Sequence, residues 1–235
     1  KLKKKGIKLT MQEASSNTGF LLRTILTRFF GGPENIVSML VDCVPNPKEA
    51  TKSKVNRIYT GSQISQTANA MVECDRSEDA PLMINVVKML NSSKEGNIFY
   101  SLGRIYSGSI KVGQQVKVLG EDYTEDDEED SGVTEITGIY IRTGVGSLSL
   151  KTAHAGSLVL LKGVDSLIKK TATLVGTTQD DPFTFRPPSL HGVAAFKLAI
   201  EPIKPAELPK MVEALRCIGK SFPLSSTKVE ESGEH

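Results

Sequence analysis

Cysteine is scarce in these 235 residues: Cys43, Cys74 and Cys217 are odd in number, far apart and in no C-x-x-C pair. That excludes a disulfide framework and a cysteine-based zinc site, and it fits a reducing compartment. Long apolar runs are missing too. None approaches the roughly 18–20 residues that span a bilayer, and the lysine-rich start lacks the apolar segment and small-residue cleavage site of a signal peptide. A soluble, unsecreted chain without membrane contact is expected. His154, His191 and His235 share no metal-ligand or triad spacing. No G-x-x-x-x-G-K-[ST] phosphate loop occurs. Gly219-Lys220-Ser221 imitates its end, but Ala214 stands where the earlier glycine is needed, and the triplet closes an expected helix instead of opening one. No catalytic, cofactor-binding or metal-binding set is expected, and no small-molecule substrate.

What the chain does have is a concentrated run of acid. Between Gly120 and Ser131 stand Glu121, Asp122, Glu125, Asp126, Asp127, Glu128, Glu129 and Asp130. Removing these eight from the 27 acidic residues leaves 19 against 29 basic ones, so the net charge of +2 conceals a basic body at +10 with one acidic projection. Segregation of this kind bears on partners and solubility. The plain reading is a solvated insertion held open by self-repulsion; the sharper one is a docking element for a basic protein surface. At the other extreme Lys1, Lys3, Lys4, Lys5 and Lys8 form a basic start, either a solvated terminus or a weak contact for RNA phosphates. No RNP-type aromatic motif accompanies them, so sequence-specific RNA readout is unsupported.

An apolar share of 39% beside 24% charged residues predicts a real core, and the length allows one large or two medium domains. Leu21, Leu22, Ile25, Leu26, Phe29 and Phe30 recur at helical spacing until Gly31-Gly32. A second helix follows from Pro33, with Ile36, Val37, Leu40, Val41 and Val44 in one stripe that Pro45 stops. Residues 45–80 turn polar and read as an extended surface connector. From Pro81 the pattern changes to strands: Leu82, Ile84 and Val86 on one side, Met83, Val87 and Met89 on the other, both sides buried. Further strands are expected at 98–106, 110, 116–119, 133–141, 148–150, 157–161 and 168–175, separated by Gly and Ser, which suggests a closed antiparallel barrel or sandwich. After a linker at 176–190, a strand at 193–200, a helix starting near Pro209 and a strand at about 226–231 begin a new and unfinished unit.

Gly103-Arg104-Ile105-Tyr106-Ser107-Gly108-Ser109-Ile110-Lys111-Val112-Gly113, continuing to Val116, is by itself a strand, tight turn and strand. As a pattern it resembles G-R-x-x-S-G-x-I-x-x-G-x-x-V, the second-domain barrel signature of the translational GTPases. Ala155-Gly156-Ser157 and Gly163-Val164-Asp165 fall where that barrel has its Ala-Gly turn and Gly-Val-Asp segment. Glu201-Pro202, Ala206 to Met211 and Val229 to His235 look like the opening of the third domain of elongation factor 2-type translocases. Gly6 to Thr10, Arg28 to Gly31, Val44 to Lys48 and the acidic loop itself resemble the spliceosomal branch of that family, the elongation factor 2-like GTPases of the U5 small nuclear ribonucleoprotein.

The fold class implied is mainly β with α: a translation-factor-type antiparallel β-barrel (domain II), preceded by a helical segment and followed by an incomplete α+β third domain. Its expected boundaries are 1–78 for the helices and connector after a GTPase domain, 79–175 for the barrel with its acidic loop at 120–132, 176–190 for the linker and 191–235 for the third domain. The chain contains no D-x-x-G and no N-K-x-D either, so GTP and Mg, implied for the parent by resemblance, have no binding motif here, and no GTP hydrolysis is expected of this chain. The resemblance further implies a nuclear, conformational-coupling and scaffold role in pre-mRNA splicing. Its implied partners are the large U5 scaffold protein, U5 snRNA and other spliceosomal proteins. Two alternatives stay open: a fragment of the ribosomal elongation factor 2 translocase, and a free-standing barrel acting as a binding module.

Overall fold

The computed structural model describes residues 2–92, 98–124, 130–144, 146–179, 182–189 and 197–228. The chain divides into two compact units, Lys1–Asn46 and Pro47–His235.

The first unit is helical. Helix α1 (Met11–Ala14) starts with a reciprocal cap: Thr10 Oγ1 accepts from Glu13 N–H, and Glu13 Oε2 accepts from Thr10 N–H at 2.8 Å. Asn17 caps α2 (Thr18–Phe30), which stops at Gly31 with φ at 79°, and α3 (Glu34–Cys43) follows Pro33. Both helices stand where the apolar periodicity predicts them. Neither buries a residue, however: Phe30 is 74% exposed and Val41 73%.

The second unit opens with a correction. Residues 45–80, expected to be extended, contain α4 (Pro47–Ile58) and α5 (Gln66–Glu73). Pro47 occupies the first helical position, where its missing N–H goes unused, and Ser65 Oγ accepts from Ala68 N–H to cap α5. Only two residues on each helix are buried, Thr51 and Val55 on α4 and Ala68 and Met71 on α5, too few large apolar side chains for a stripe to announce these helices.

Among the described residues ten strands follow: β1 (Met83–Asn91), β2 (Phe99–Ser107), β3 (Ser109–Lys111), β4 (Gln115–Leu119), β5 (Ser131–Glu135), β6 (Gly138–Arg142), β7 (Ser147–Leu150), β8 (Thr152–His154), β9 (Leu158–Lys162) and β10 (Ala172–Gly176). Eight form one antiparallel sheet in the order β5-β4-β10-β1-β2-β9-β6-β7, and β3 pairs with β8. The expected single strand at 133–141 is two. Only Ile136 and Thr137 separate β5 from β6, which lie toward opposite ends of the sheet, so the sheet must curl until its ends meet. Ile136 N–H donates to Gln114 O at 3.0 Å and Thr137 N–H to Lys162 O at 2.9 Å across that closure. The result is a barrel whose interior is filled by residues such as Ile84, Ile105, Ile139, Leu161 and Leu174.

A register shift between Val86 and Lys88 changes which residues of β1 face inward. The extra residue of a bulge reverses the alternation beyond it, so Met89 joins Ile84 and Val86 in the barrel interior instead of sharing the face of Met83. Met83 packs outside, in a second core with Val55, Tyr59, Ala68, Met71, Tyr106, Leu119, Val175 and Phe185. The α4–α5 hairpin thus covers one part of the barrel's outer wall. Phe185, within the expected linker, is held there by Phe185 N–H donating to Thr173 Oγ1 at 2.8 Å.

Tight backbone positions set the glycines of the signature. Gly108, between β2 and β3, has φ at 76°, and a Cβ there would meet Leu82 Cα at 3.0 Å. Gly163 has φ at 103°, and a Cβ would stand 2.5 Å from Glu135 O.

Helix α6 (Leu208–Ser221) carries Pro209 in its first turn, as expected. It lies in the same compact unit as the barrel, with Cys217 packed against the barrel core. The expected strand at 193–200 falls partly outside the described residues, and Lys197–Ile200 are not extended into a sheet. Ser226–Lys228 are irregular, and the rest of the expected last strand, with His235, lies outside the described residues.

Candidate interaction site

The acidic loop joins β4 to β5, and its two ends are fastened to the barrel. Gly120 N–H donates to Asp130 O at 2.9 Å, and Asp122 N–H to Asp130 Oδ2 at 3.2 Å. Lys169 Nζ stands 3.2 Å from Asp130 Oδ1 and 3.7 Å from Asp122 Oδ2. The hydrogen bond to Asp130 is the largest of the effects that hold the Lys169 ammonium above its ordinary pKa. Glu121 Oε1 accepts from both the N–H and the hydroxyl of Thr171, at 2.8 and 2.7 Å. Three of the eight predicted docking carboxylates therefore hold the loop's root: Glu121, Asp122 and Asp130. Glu125, Asp126, Asp127, Glu128 and Glu129 lie outside the described residues. Tyr123 sits between, its ring 5.7 Å from Lys117 Nζ and packed on the outer core.

The basic start is built differently. Lys4 and Lys5 are exposed, Lys5 Nζ lies 5.8 Å from the Phe29 ring, and the Lys8 carbonyl accepts from Arg28. Lys1 and the side chain of Lys3 lie outside the described atoms. Arg28 also bridges Glu13 at 2.5 Å. That hydrogen bond, with the one from Thr10 N–H, brings the Glu13 carboxyl down to about 2.

The Gly219-Lys220-Ser221 triplet closes α6, and Lys220 Nζ donates to Asp165 O at 2.7 Å, an arrangement that does not fit a nucleotide phosphate. His154 is exposed at the end of β8; His191 lies outside the described residues. Among the described residues no group of three His, Cys, Asp or Glu side chains could hold a metal ion, and no helix is long and apolar enough to cross a membrane.

Composition and spacing gave no warning of a second surface. The outer wall left uncovered by α4–α5 runs over β1, β2, β9 and β6. Leu90 of β1 pairs with Tyr100 of β2, and Lys162 Nζ stands 5.9 Å from the Tyr100 ring. One row along, Lys88, Leu102, Leu160 and Tyr140 are successive register partners across all four strands. Tyr100 and Tyr140 meet edge to face, ring centroids 5.5 Å apart. The phenol end of Tyr140 covers Gly138, where a Cβ would come within 2.8 Å of it. Arg104, at the border of the hairpin, donates from Nη2 to Thr51 Oγ1 at 3.3 Å and lies 5.2 Å from the Tyr106 ring. A signal for this wall does exist in the sequence, in the absence of Asp and Glu from these strands, but it becomes visible only once the strands are known to be neighbours.

Residues 99–175 match the elongation factor Tu domain 2 family. The chain is 44% identical over 231 residues, 98% of its length, to the 109 kDa U5 small nuclear ribonucleoprotein component GFL of Arabidopsis thaliana and, over the same span, to the 110 kDa component CLO of that plant. It is 45% identical over 216 residues, 92% of its length, to the pre-mRNA-splicing factor cwf10 of Schizosaccharomyces pombe. It spans 23% of the two plant relatives and 22% of the yeast one.

Proposed function

From the chain's membership of the U5-component branch of the translational GTPase superfamily, whose elongation factor Tu domain 2 it carries, we propose that it is a non-catalytic part of a larger splicing protein. In this reading it acts in the nucleus, within the U5 particle, as a coupling and scaffold module. The observation that carries it is identity of 44–45% with splicing components over nearly the whole chain, and not over the barrel alone.

The geometry supports a mechanical role. Helices α2 and α3 present apolar faces with no buried residue, as expected of elements that pack on a part of the parent lying outside these residues. In the full protein that part is a GTPase domain, which supplies the nucleotide and Mg site that this chain's residues do not form. Nucleotide state then acts on the barrel through unequal affinity for two interdomain arrangements. The acidic loop, rooted by Glu121, Asp122 and Asp130, offers its charge to a basic partner, for which the large U5 scaffold protein is the candidate.

Affinity purification of the tagged parent protein from nuclear extract, followed by identification of the co-purified RNA, tests this reading. U5 snRNA with splicing proteins is expected. Ribosomal RNA would instead identify the ribosomal translocase, and GTP binding by the 235-residue chain in a fluorescence assay would overturn its non-catalytic assignment.

A further inference from the structure

We propose that the free edge of β7 takes up an extended segment of a partner protein in which acidic and apolar residues alternate, adding a strand to the barrel sheet. The proposal goes beyond the splicing reading and does not depend on it. The sheet has two end strands, and they differ. β5 carries Glu135, lies next to the Gly163 turn and has Leu167 packed over Gly132. β7, Ser147-Leu148-Ser149-Leu150, has none of the devices that keep an edge single: no charge, no proline and an unbroken register with β6.

The hydrogen-bond phase of the β6–β7 hairpin fixes what that edge offers. Thr143 N–H donates to Gly146 O at 2.7 Å, so the register partners that bond across the hairpin are Ile141 with Leu148 and Ile139 with Leu150. Ser147 and Ser149 therefore turn their N–H and C=O groups away from β6, and among the described residues nothing takes them. Lys151 has the same phase, and its carbonyl already accepts from Val112 N–H at 3.0 Å. Directly beyond it β8 pairs with β3 on that side, so the molecule itself uses this edge as far as Val112. An added antiparallel strand would continue the line of β3 past Val112 and satisfy both main-chain groups of Ser147 and of Ser149.

Side-chain alternation sets the chemistry of the occupant. Leu150 packs against the barrel core with Ile141, and Leu148, on the same face, is 59% exposed at the rim. The opposite face carries Arg142, paired with Ser147, and Lys151, both exposed. No Asp or Glu occurs between Glu135 and Asp165, in a chain with 27 acidic residues. A neighbouring strand therefore meets leucine on one face and cations on the other, the complement of a segment that alternates apolar and acidic residues. A nucleic acid would meet the cations but leave the outward carbonyls and Leu148 without partners.

Fluorescence anisotropy of a labelled decapeptide of alternating glutamate and valine, titrated with the 235-residue chain, tests the proposal. Ser149→Pro should weaken binding about tenfold or more with an unchanged thermal midpoint, because the N–H it removes faces away from β6. Arg142→Glu with Lys151→Glu should weaken it about tenfold or more, and added salt should weaken it in the unaltered chain. On binding, the Ser147 and Ser149 amides should become slow to exchange with solvent, while those of Leu148 and Leu150, already bonded to β6, stay as they were. If Ser149→Pro unfolds the chain, that exchange pattern in the unaltered protein decides. No binding by the unaltered chain, unchanged exchange at both serines, or equal binding of an all-glutamate decapeptide would overturn the proposal. Equal competition by oligouridine with both serine amides unprotected would also overturn it and assign the cations to nucleic acid.

Discussion

Arg28 reaches both carboxylate oxygens of Glu13, at 3.0 and 2.5 Å, while Glu13 also closes the cap on α1. Its carboxyl consequently ionises near 2 instead of the 4.5 of an ordinary glutamate, with the Arg28 hydrogen bond the main cause and the Thr10 N–H next. A pKa lowered by folding contributes stability above the unfolded value, here about 4.5, and that contribution is lost as pH falls toward 2. Carboxyl-detected NMR should place the Glu13 midpoint near 2 in the chain and return it toward the ordinary range in Arg28→Met. A midpoint already ordinary in the unaltered chain would remove the contact. At the same scale, Glu121 shows what sequence alone could not say about the acidic loop. Its position was legible; its use was not, because the partner that takes its carboxylate is Thr171, fifty residues away in the chain.

Among the elements, the α4–α5 hairpin is held to the barrel by a small core in which Met71 is completely buried. Met71→Ala should cost about 2–5 kcal/mol in chemical denaturation, as large-to-small changes in closed cores do. A loss well under 1 kcal/mol would mean the hairpin is not part of the cooperative unit. Helices α2, α3 and α6 were legible because large apolar residues recur at three and four. The hairpin was hidden by polarity: Thr51 and Ala68 do on α4 and α5 what leucines usually do. The barrel strands were legible from alternation and glycine punctuation, but the inward turn of Met89 was not, since a bulge has no mark in a run of Val and Met. The same bulge concealed the outer wall.

Taken whole, the molecule has a barrel unit with a well-filled interior and a helical unit whose helices α2 and α3 bury no residue. In isolation the chain should self-associate at micromolar concentration, and Phe30→Glu with Val41→Glu should make it monomeric in sedimentation experiments. A monomeric unaltered chain would mean those faces are tolerated in water. The pairing of β1 with β10 has a consequence for the chain's birth. Met83 meets Val175, so strands about ninety residues apart must wait for each other, and β4 shares that delay because it too pairs with β10. During synthesis the early strands leave the ribosome with open, apolar edges and no partner yet made. The eight carboxylates between β4 and β5 emerge inside that interval, and their mutual repulsion would keep the half-made sheets of neighbouring nascent chains apart until the barrel can close.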